Sequence, residues 1–169
     1  MTTAQIIAQI FSASAYVLFL FCYHGNNMKK ILSVKLLVDL LASVSYILLG
    51  AYSGLAMNLI SATRAVVFMN NDKKYLKSVF WKWLFIFINI FSLIITWKAF
   101  YSLLPAIAGV LSTISFWQKD VKFARILALV INVFIFSYNL FVGSYAGMIG
   151  EAIAFCSVSL ALYKNNKNK

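Results

Sequence analysis

Four polar side chains that could bind a solute or carry a proton lie in the middle of long apolar segments. Asp39 and Asn58 belong to the first half of the chain, and Asn132 and Glu151 belong to the second. Each half thus offers one carboxylate and one amide. If these segments cross a bilayer, an ionisable group at mid-depth is costly and normally faces a bundle interior or a water-filled cavity. The four residues are therefore candidates for a substrate-binding site.

Two further residues, Arg64 and Asn139, complete the candidate set. Arg64 lies deep in an apolar segment, and its long side chain could pair with Asp39 or Glu151 or extend toward the membrane interface. Lys35, one helical turn before Asp39, is another candidate partner for that carboxylate. Asn139 lies near the end of its segment and is a candidate hydrogen-bonding ligand. The charges form either a substrate or proton site or an internal ion pair that locks helices together, and the two readings can coexist.

The composition indicates the class of protein to which these segments belong. Of 169 residues, 63% are hydrophobic and 11% are charged, whereas about a quarter of the residues in a soluble domain are charged. Several apolar runs reach the roughly 20 residues that cross a bilayer as a helix. The runs are continuous rather than alternating, which argues against a porin-like barrel. The sequence therefore predicts an all-α polytopic membrane protein in contact with the lipid bilayer.

The formal net charge of +11 does not indicate a nucleic-acid partner, because the basic residues lie at the ends of apolar runs, where they face cytoplasm and lipid headgroups. No catalytic motif and no cysteine pair with metal spacing occurs in the sequence. We therefore expect no enzyme, no metal and no cofactor. Cys22 and Cys156 are interpreted as small buried hydrophobic residues, and His24 as an interfacial residue.

Seven transmembrane helices are predicted. Their expected bounds are Thr3–Tyr23, Ile31–Leu49, Tyr52–Met69, Phe80–Trp97, Leu103–Trp117, Phe123–Phe141 and Tyr145–Tyr163. Basic loops alternate with loops in which Lys98 is the only charged residue. Because basic loops stay in the cytoplasm, the N-terminus is expected outside and the C-terminus inside. Pro105, near the start of the fifth helix, is expected to bend that helix and serve as a hinge.

A short turn with the pattern Gly-x-Tyr-x-Gly occurs twice, at residues 50–54 and 143–147. Each copy needs glycine for a positive φ and for close helix approach. A pair of good hairpin turns would explain each copy but not their matched placement. Aligning Gly50 with Gly143 sets helices one to three against helices five to seven. The sequence thus predicts two parallel three-helix bundles joined by a linker helix (3+1+3).

The predicted division follows from this alignment. Residues 1–79 form the first bundle with its cytoplasmic loop, residues 80–101 form the linker helix, and residues 102–169 form the second bundle with its basic tail. The same alignment places Asp39 opposite Asn132, and Asn58 opposite Glu151. The carboxylate and the amide are therefore exchanged between the two halves.

A series of short motifs resembles the YgjV family of bacterial inner-membrane proteins. The motifs are Leu48–Tyr52 followed by Arg64, Leu103–Pro105 with Ser112 and Thr113, Asn139 with Gly143 and Ser144, and Glu151. The resemblance implies a location in the bacterial inner membrane and favours Arg64, Asn139 and Glu151 as site residues. Asp39 and Asn58 do not belong to the family pattern, and Ser61 stands where asparagine is expected. The family has no assigned biochemical function.

The 3+1+3 layout is also similar to SWEET sugar transporters and to the triple-helix bundles of PnuC-type nicotinamide riboside transporters, at the level of topology alone. This likeness leads us to expect a transporter of a small polar solute, such as a sugar, nucleoside or vitamin, that works by alternating access. Arg64 and Glu151 would then be gate or binding charges, and Asn139 a ligand near the outer mouth. The alternative is a non-transporting membrane scaffold or accessory protein. The sequence leaves undecided which solute is the substrate and whether the protein forms a homo-oligomer.

Overall fold

The computed structural model describes residues 2–22, 27–70 and 75–167, with side chains described as far as Tyr163. Within these ranges the chain is helical and contains no strand. The helices are α1 (Thr3–Cys22), α2 (Met28–Leu48), α3 (Tyr52–Met69), α4 (Phe80–Ile95), α5 (Leu103–Trp117), α6 (Val121–Val142) and α7 (Tyr145–Lys167), with a short 3-10 helix (Phe100–Ser102) before α5.

In the described ranges, five helical segments are long and apolar enough to cross a membrane. They are α1, α2, the continuous segment Phe100–Trp117, α6, and residues Tyr145–Tyr163 of α7. Of the other two helices, α4 is apolar but only 16 residues long, and α3 carries Asn58 and Arg64 among its 18 residues. The predicted all-α membrane fold is confirmed, whereas the count of seven spans stays a prediction.

The helix bounds match the predicted ones for α3 and α5. The other bounds differ by a few residues: α4 ends at Ile95 rather than at the predicted Trp97, and side-chain caps explain the early starts of α2 and α6. Asn27 accepts a hydrogen bond from the Lys29 backbone N–H (2.9 Å), so α2 begins before the predicted Ile31. Asp120 accepts from the backbone N–H of Lys122 (2.8 Å), and α6 likewise begins early. Such caps satisfy N–H groups that have no partner inside the first turn. The predicted end of the first helix at Tyr23 and the interfacial His24 lie outside the described residues.

Six of the helices form a closed ring. Consecutive helices pack on each other in the series α1–α2–α3 and in the series α5–α6–α7. The two series meet where α1 packs against α7 and where α3 packs against α5. Helix α4 packs on α3 and α5, and within α4 only Phe85 and Asn89 are buried. Apart from Lys82 and Ser92, the remaining surface of α4 is apolar, and it is at least partly exposed, as a lipid-facing helix requires.

Both Gly-x-Tyr-x-Gly turns adopt the backbone expected for them. Gly50 and Gly143 have positive φ angles of 62° and 71°. The last glycine of each turn lies where helices approach closely: a Cβ on Gly54 would lie 2.8 Å from the Tyr138 ring, and one on Gly147 would lie 2.8 Å from the Asn139 amide. The predicted need for glycine at these positions is confirmed. We call the end of the molecule that holds both turns the turn end, and the opposite end the basic end.

Candidate functional site

The four mid-segment polar residues meet at one cavity, although they come from four helices. Asp39 of α2, Asn58 of α3, Asn132 of α6 and Glu151 of α7 all line it. Their exposed fractions are 1%, 3%, 3% and 6%. The cavity measures about 50 Å³. That volume holds a few water molecules and is well below the roughly 300 Å³ at which pockets for drug-sized ligands begin. The cavity is therefore too small in this conformation to enclose a ligand of that size.

Glu151 is held by its neighbours on two other helices. The Tyr16 hydroxyl of α1 donates to Glu151 Oε1 (2.7 Å). With its amide nitrogen turned toward α7, Asn132 donates to Glu151 Oε2 (3.2 Å) and to the Ala128 carbonyl (3.0 Å); this orientation is assigned from the hydrogen-bond network. Both carboxylate oxygens are thereby satisfied, which fixes the side chain at the cavity wall.

A chain of hydrogen bonds continues from Glu151 toward the turn end. Asn139 Nδ2 donates to the Tyr16 hydroxyl (3.2 Å), and the Tyr46 hydroxyl donates to Asn139 Oδ1 (2.8 Å). Asn139 is completely buried and lies behind the two tyrosines, which line the cavity themselves. Asn139 therefore does not line the cavity. Its hydrogen bonds fix the orientation of the two tyrosines that do.

Asp39 forms an ion pair with Lys35, one helical turn earlier on α2. Of the predicted partners, Lys35 is thus confirmed for this carboxylate. The second oxygen, Asp39 Oδ2, has no hydrogen-bond partner in the described part of the chain, and neither has Asn58 Nδ2. Buried polar groups are normally hydrogen-bonded. The two unsatisfied atoms at this cavity therefore need a further polar group as a hydrogen-bond partner.

Arg64 connects α3 to α5. Its guanidinium donates to Ser61 Oγ (2.9 Å), Ser112 Oγ (2.6 Å), Thr113 Oγ1 (2.7 Å) and the Gly109 carbonyl (3.0 Å). Only 1% of the residue is exposed. Arg64 does not line the cavity, but Ser112 does, so the guanidinium lies behind that hydroxyl. Ser61, which departs from the family pattern, is one of its acceptors.

Pro105 lies in the first turn of α5, directly after the 3-10 helix. Proline is tolerated there because its missing N–H would have no partner inside the helix. Helix α5 runs on to Trp117. The hinge role of Pro105 stays a prediction.

The cysteines differ from each other in exposure. Cys22 is buried, and its thiol donates to the Ile31 carbonyl (3.4 Å). Cys156 is exposed, so the prediction of a buried residue was wrong for it, because this face of α7 points outward. Among the described residues, no group of three or more His, Cys, Asp or Glu side chains is placed to hold a metal ion.

Two site residues, Tyr16 and Tyr46, were missed by the sequence analysis. Both line the cavity and both bond to predicted site residues. The signal for Tyr46 was present, because the alignment of the two turns places it opposite Asn139. The signal for Tyr16 was weaker: tyrosine prefers the headgroup level, so its place in the middle of α1 is unusual. Neither tyrosine was predicted, because the chain has many aromatic residues and nothing in their spacing distinguishes these two.

A comparison with known protein families agrees with this description. The family model Imp-YgjV, described as a bacterial inner membrane protein, matches residues 6–169. No curated protein matches the chain, and no solved structure does. The match extends over nearly the whole chain and includes all seven helices, five of which are able to cross a membrane. The chain is a multi-pass inner-membrane protein and belongs to the Imp-YgjV family.

Proposed function

We propose that this protein is a transporter of a small polar solute, which binds in the central cavity while the two halves of the protein rock around it. One observation carries the proposal. Of the fifteen residues that line the cavity, ten form five pairs whose numbers differ by 93, the spacing of the two turns. The pairs are Phe19 with Ser112, Val38 with Ile131, Asp39 with Asn132, Ala42 with Ile135, and Asn58 with Glu151.

Such pairing is expected of a cavity on a pseudo-two-fold axis. A residue can touch its own counterpart only close to the axis that relates the two. Tyr46 and Asn139 are counterparts at the same spacing, and their side chains are hydrogen-bonded to each other (2.8 Å). The helix contacts obey the same operation, because exchanging the halves converts the α1–α7 contact into the α5–α3 contact, and both exist. We infer that α1–α3 and α5–α7 are the two bundles and that α4 is the linker.

The two turns also have matched environments. The Gly50 carbonyl accepts a hydrogen bond from Lys98 Nζ (2.7 Å), and the Gly143 carbonyl accepts one from Gln9 Nε2 (3.1 Å). Each donor belongs to the beginning of the opposite half or to the segment leading into it. These bonds close the turn end of the two interfaces that join the bundles. The interfaces must separate to admit a solute, because the cavity of about 50 Å³ is too small for a sugar or a nucleoside.

The proposed transport is tested with purified protein in proteoliposomes, by measuring the flux of a panel of sugars, nucleosides, vitamins and smaller polar solutes. Glu151→Gln keeps the shape of the side chain but removes its charge. Since hydrogen bonds to charged groups contribute about 1.5–3 kcal/mol, we expect flux of the transported solute to fall by roughly tenfold or more. Ser159→Ala is the matched control: Ser159 is on the same helix, and its hydroxyl donates to the Phe155 carbonyl of the preceding turn (2.8 Å). No flux of any solute through the wild-type protein would refute the proposal.

A second candidate, a non-transporting scaffold or accessory protein, is favoured by one specific observation. The hydrogen bonds of Arg64 to α5 are interhelical contacts of the kind that hold a membrane bundle together. In a scaffold the cavity would hold water alone. Glu151→Gln would then change thermal stability while flux stayed absent in both proteins, which distinguishes the scaffold from the transporter.

A further inference from the structure

We infer that the solute taken up by the central cavity is electrically neutral and presents to it a group that both donates and accepts hydrogen bonds, a hydroxyl or a carboxamide. The inference rests on the proposed transport function and narrows its substrate class. It starts from the two polar atoms that the cavity leaves without partners.

Those two atoms have opposite hydrogen-bonding character. Asp39 Oδ2 is an acceptor and needs a donor, whereas Asn58 Nδ2 is a donor and needs an acceptor. Both residues line the cavity, and each is at least 97% buried. The remaining polar atoms described above are bonded to one another within the protein. A ligand that satisfies the site must therefore donate one hydrogen bond and accept another.

The charges around the cavity do not favour an ion. Asp39 and Lys35 both line the cavity and form an ion pair with each other. Glu151 also lines it, with hydrogen bonds to both carboxylate oxygens, and the Arg64 guanidinium lies behind Ser112. Two acidic groups thus face two basic groups. An ion would add an unbalanced charge in buried surroundings, which costs several kcal/mol, whereas a neutral group would satisfy both open atoms without that cost.

The size of the cavity agrees with this class of group. About 50 Å³ accommodates a hydroxymethyl or a carboxamide end, or water in its place. The body of a larger solute would occupy space that forms when the bundles separate. The end group of the solute therefore determines recognition, because it forms hydrogen bonds with Asp39 Oδ2 and Asn58 Nδ2.

The test measures thermal unfolding in detergent and flux in proteoliposomes with three sets of probes. The neutral set contains urea, acetamide, glycerol and xylose, the cationic set methylammonium and ethanolamine, and the anionic set acetate and lactate. We expect at least one neutral probe to raise the melting temperature by roughly 5 °C or more at a hundredfold excess over its Kd and to be transported. The charged probes should do neither.

Two variants of similar size make the test specific to the site. Asn58→Leu removes the donor, so affinity for the neutral probe should fall about tenfold. Asn58→Asp replaces the donor with an acceptor and adds a negative charge, so preference should shift from the neutral probe to methylammonium. Thr63→Val, on the exposed face of the same helix, should leave both unchanged.

The outcomes separate the inference from the function on which it rests. If the wild-type protein transports or is stabilised by charged probes and not by neutral ones, the inference is wrong and transport stands. If Asn58→Leu binds the neutral probe as tightly as wild type, the site is wrongly placed. If no probe of any class shifts the melting temperature or crosses the membrane, the inference is wrong, and the wider panel of sugars, nucleosides and vitamins decides separately whether the protein is a transporter.

Discussion

At the scale of single residues, the polar side chains inside this bundle divide into those that lie behind the cavity wall and join helices there, and those that line the cavity itself. Arg64 belongs to the first kind, since its donors reach α5. Asn139 also lies behind the cavity wall, where its hydrogen bonds orient Tyr16 and Tyr46. Asp39, Asn58, Asn132 and Glu151 border the cavity itself. A variant of Arg64 should therefore act first on stability, whereas a variant of Asn58, whose Nδ2 has no hydrogen-bond partner in the described part of the chain, should act first on the solute.

Arg64→Lys tests this division. Lysine keeps the positive charge, but its single ammonium cannot reproduce the fork that bonds Ser61 and Ser112 with one nitrogen and Thr113 with the other. We expect a loss of about 2–4 kcal/mol from the missing charged hydrogen bonds, seen as a melting temperature lower by roughly 5 °C or more. Thr63→Ala, on the exposed face of α3, is the control. Unchanged stability of Arg64→Lys would show that charge alone, rather than the fork, holds α3 to α5.

At the scale of helices and turns, the two glycines of one turn serve different purposes. Gly143 has a φ of 71° with open space around its Cβ position, whereas Gly147 lies against Ser144 and Asn139. The first glycine is required for its backbone conformation, and the second for the close approach of α7 to α6. The same distinction holds between Gly50 and Gly54.

Substitutions at the second turn separate the two requirements. Gly143→Ala should cost about 1–2 kcal/mol because an L-residue is strained at this φ, and Gly143→Asn should cost less because asparagine tolerates the left-handed region. At Gly147 the order should reverse. A Cβ there would lie 2.5 Å from Ser144 Oγ and 2.8 Å from Asn139 Nδ2, so alanine should displace Asn139 and asparagine should do more damage still. Thermal unfolding of the four variants measures both orders; the same order at both positions would contradict the assignment.

Local patterns in the sequence were sufficient to predict the membrane class, the bounds of α3 and α5, and the glycines of the turns. They also identified Asp39 and Glu151 as candidate site residues, because a carboxylate within a membrane-spanning segment normally faces the bundle interior or a water-filled cavity. The acceptors of Arg64 on α5 and the position of Tyr16 beside Glu151 were beyond such reasoning. Both depend on how each helix is rotated about its axis, which is set by packing between helices distant in sequence. The cap at Asn27 could have been predicted from the sequence, because asparagine is a preferred N-cap residue. The lysines that follow it are typical of a loop at the membrane surface, so the start of α2 was predicted too late.

At the scale of the whole molecule, the pseudo-two-fold axis that we propose would account for features that are otherwise unrelated. It would explain why Tyr46 bonds to Asn139, why two pairs of helices close the ring, and why the cavity walls consist largely of counterpart residues. A parallel repeat of this kind requires an odd number of helices between equivalent elements. The linker α4 satisfies that requirement only if it crosses the membrane, although it has 16 residues.

The orientation of the chain tests whether α4 crosses. Lysines and arginine at the basic end, such as Lys29, Lys82 and Lys122, contrast with Lys98 at the turn end, so the basic end should be cytoplasmic. A fluorescent protein that folds only in the cytoplasm should therefore fluoresce when it is fused after residue 79 or after Lys169, and it should not fluoresce when it is fused after residue 101. A periplasm-active phosphatase at the same three positions should give the opposite result and serves as the matched control. If α4 instead lay on the membrane surface, the fusions after residues 79 and 101 would report the same side of the membrane. The two bundles would then be inverted, and the parallel axis that places Asp39 opposite Asn132 could not exist.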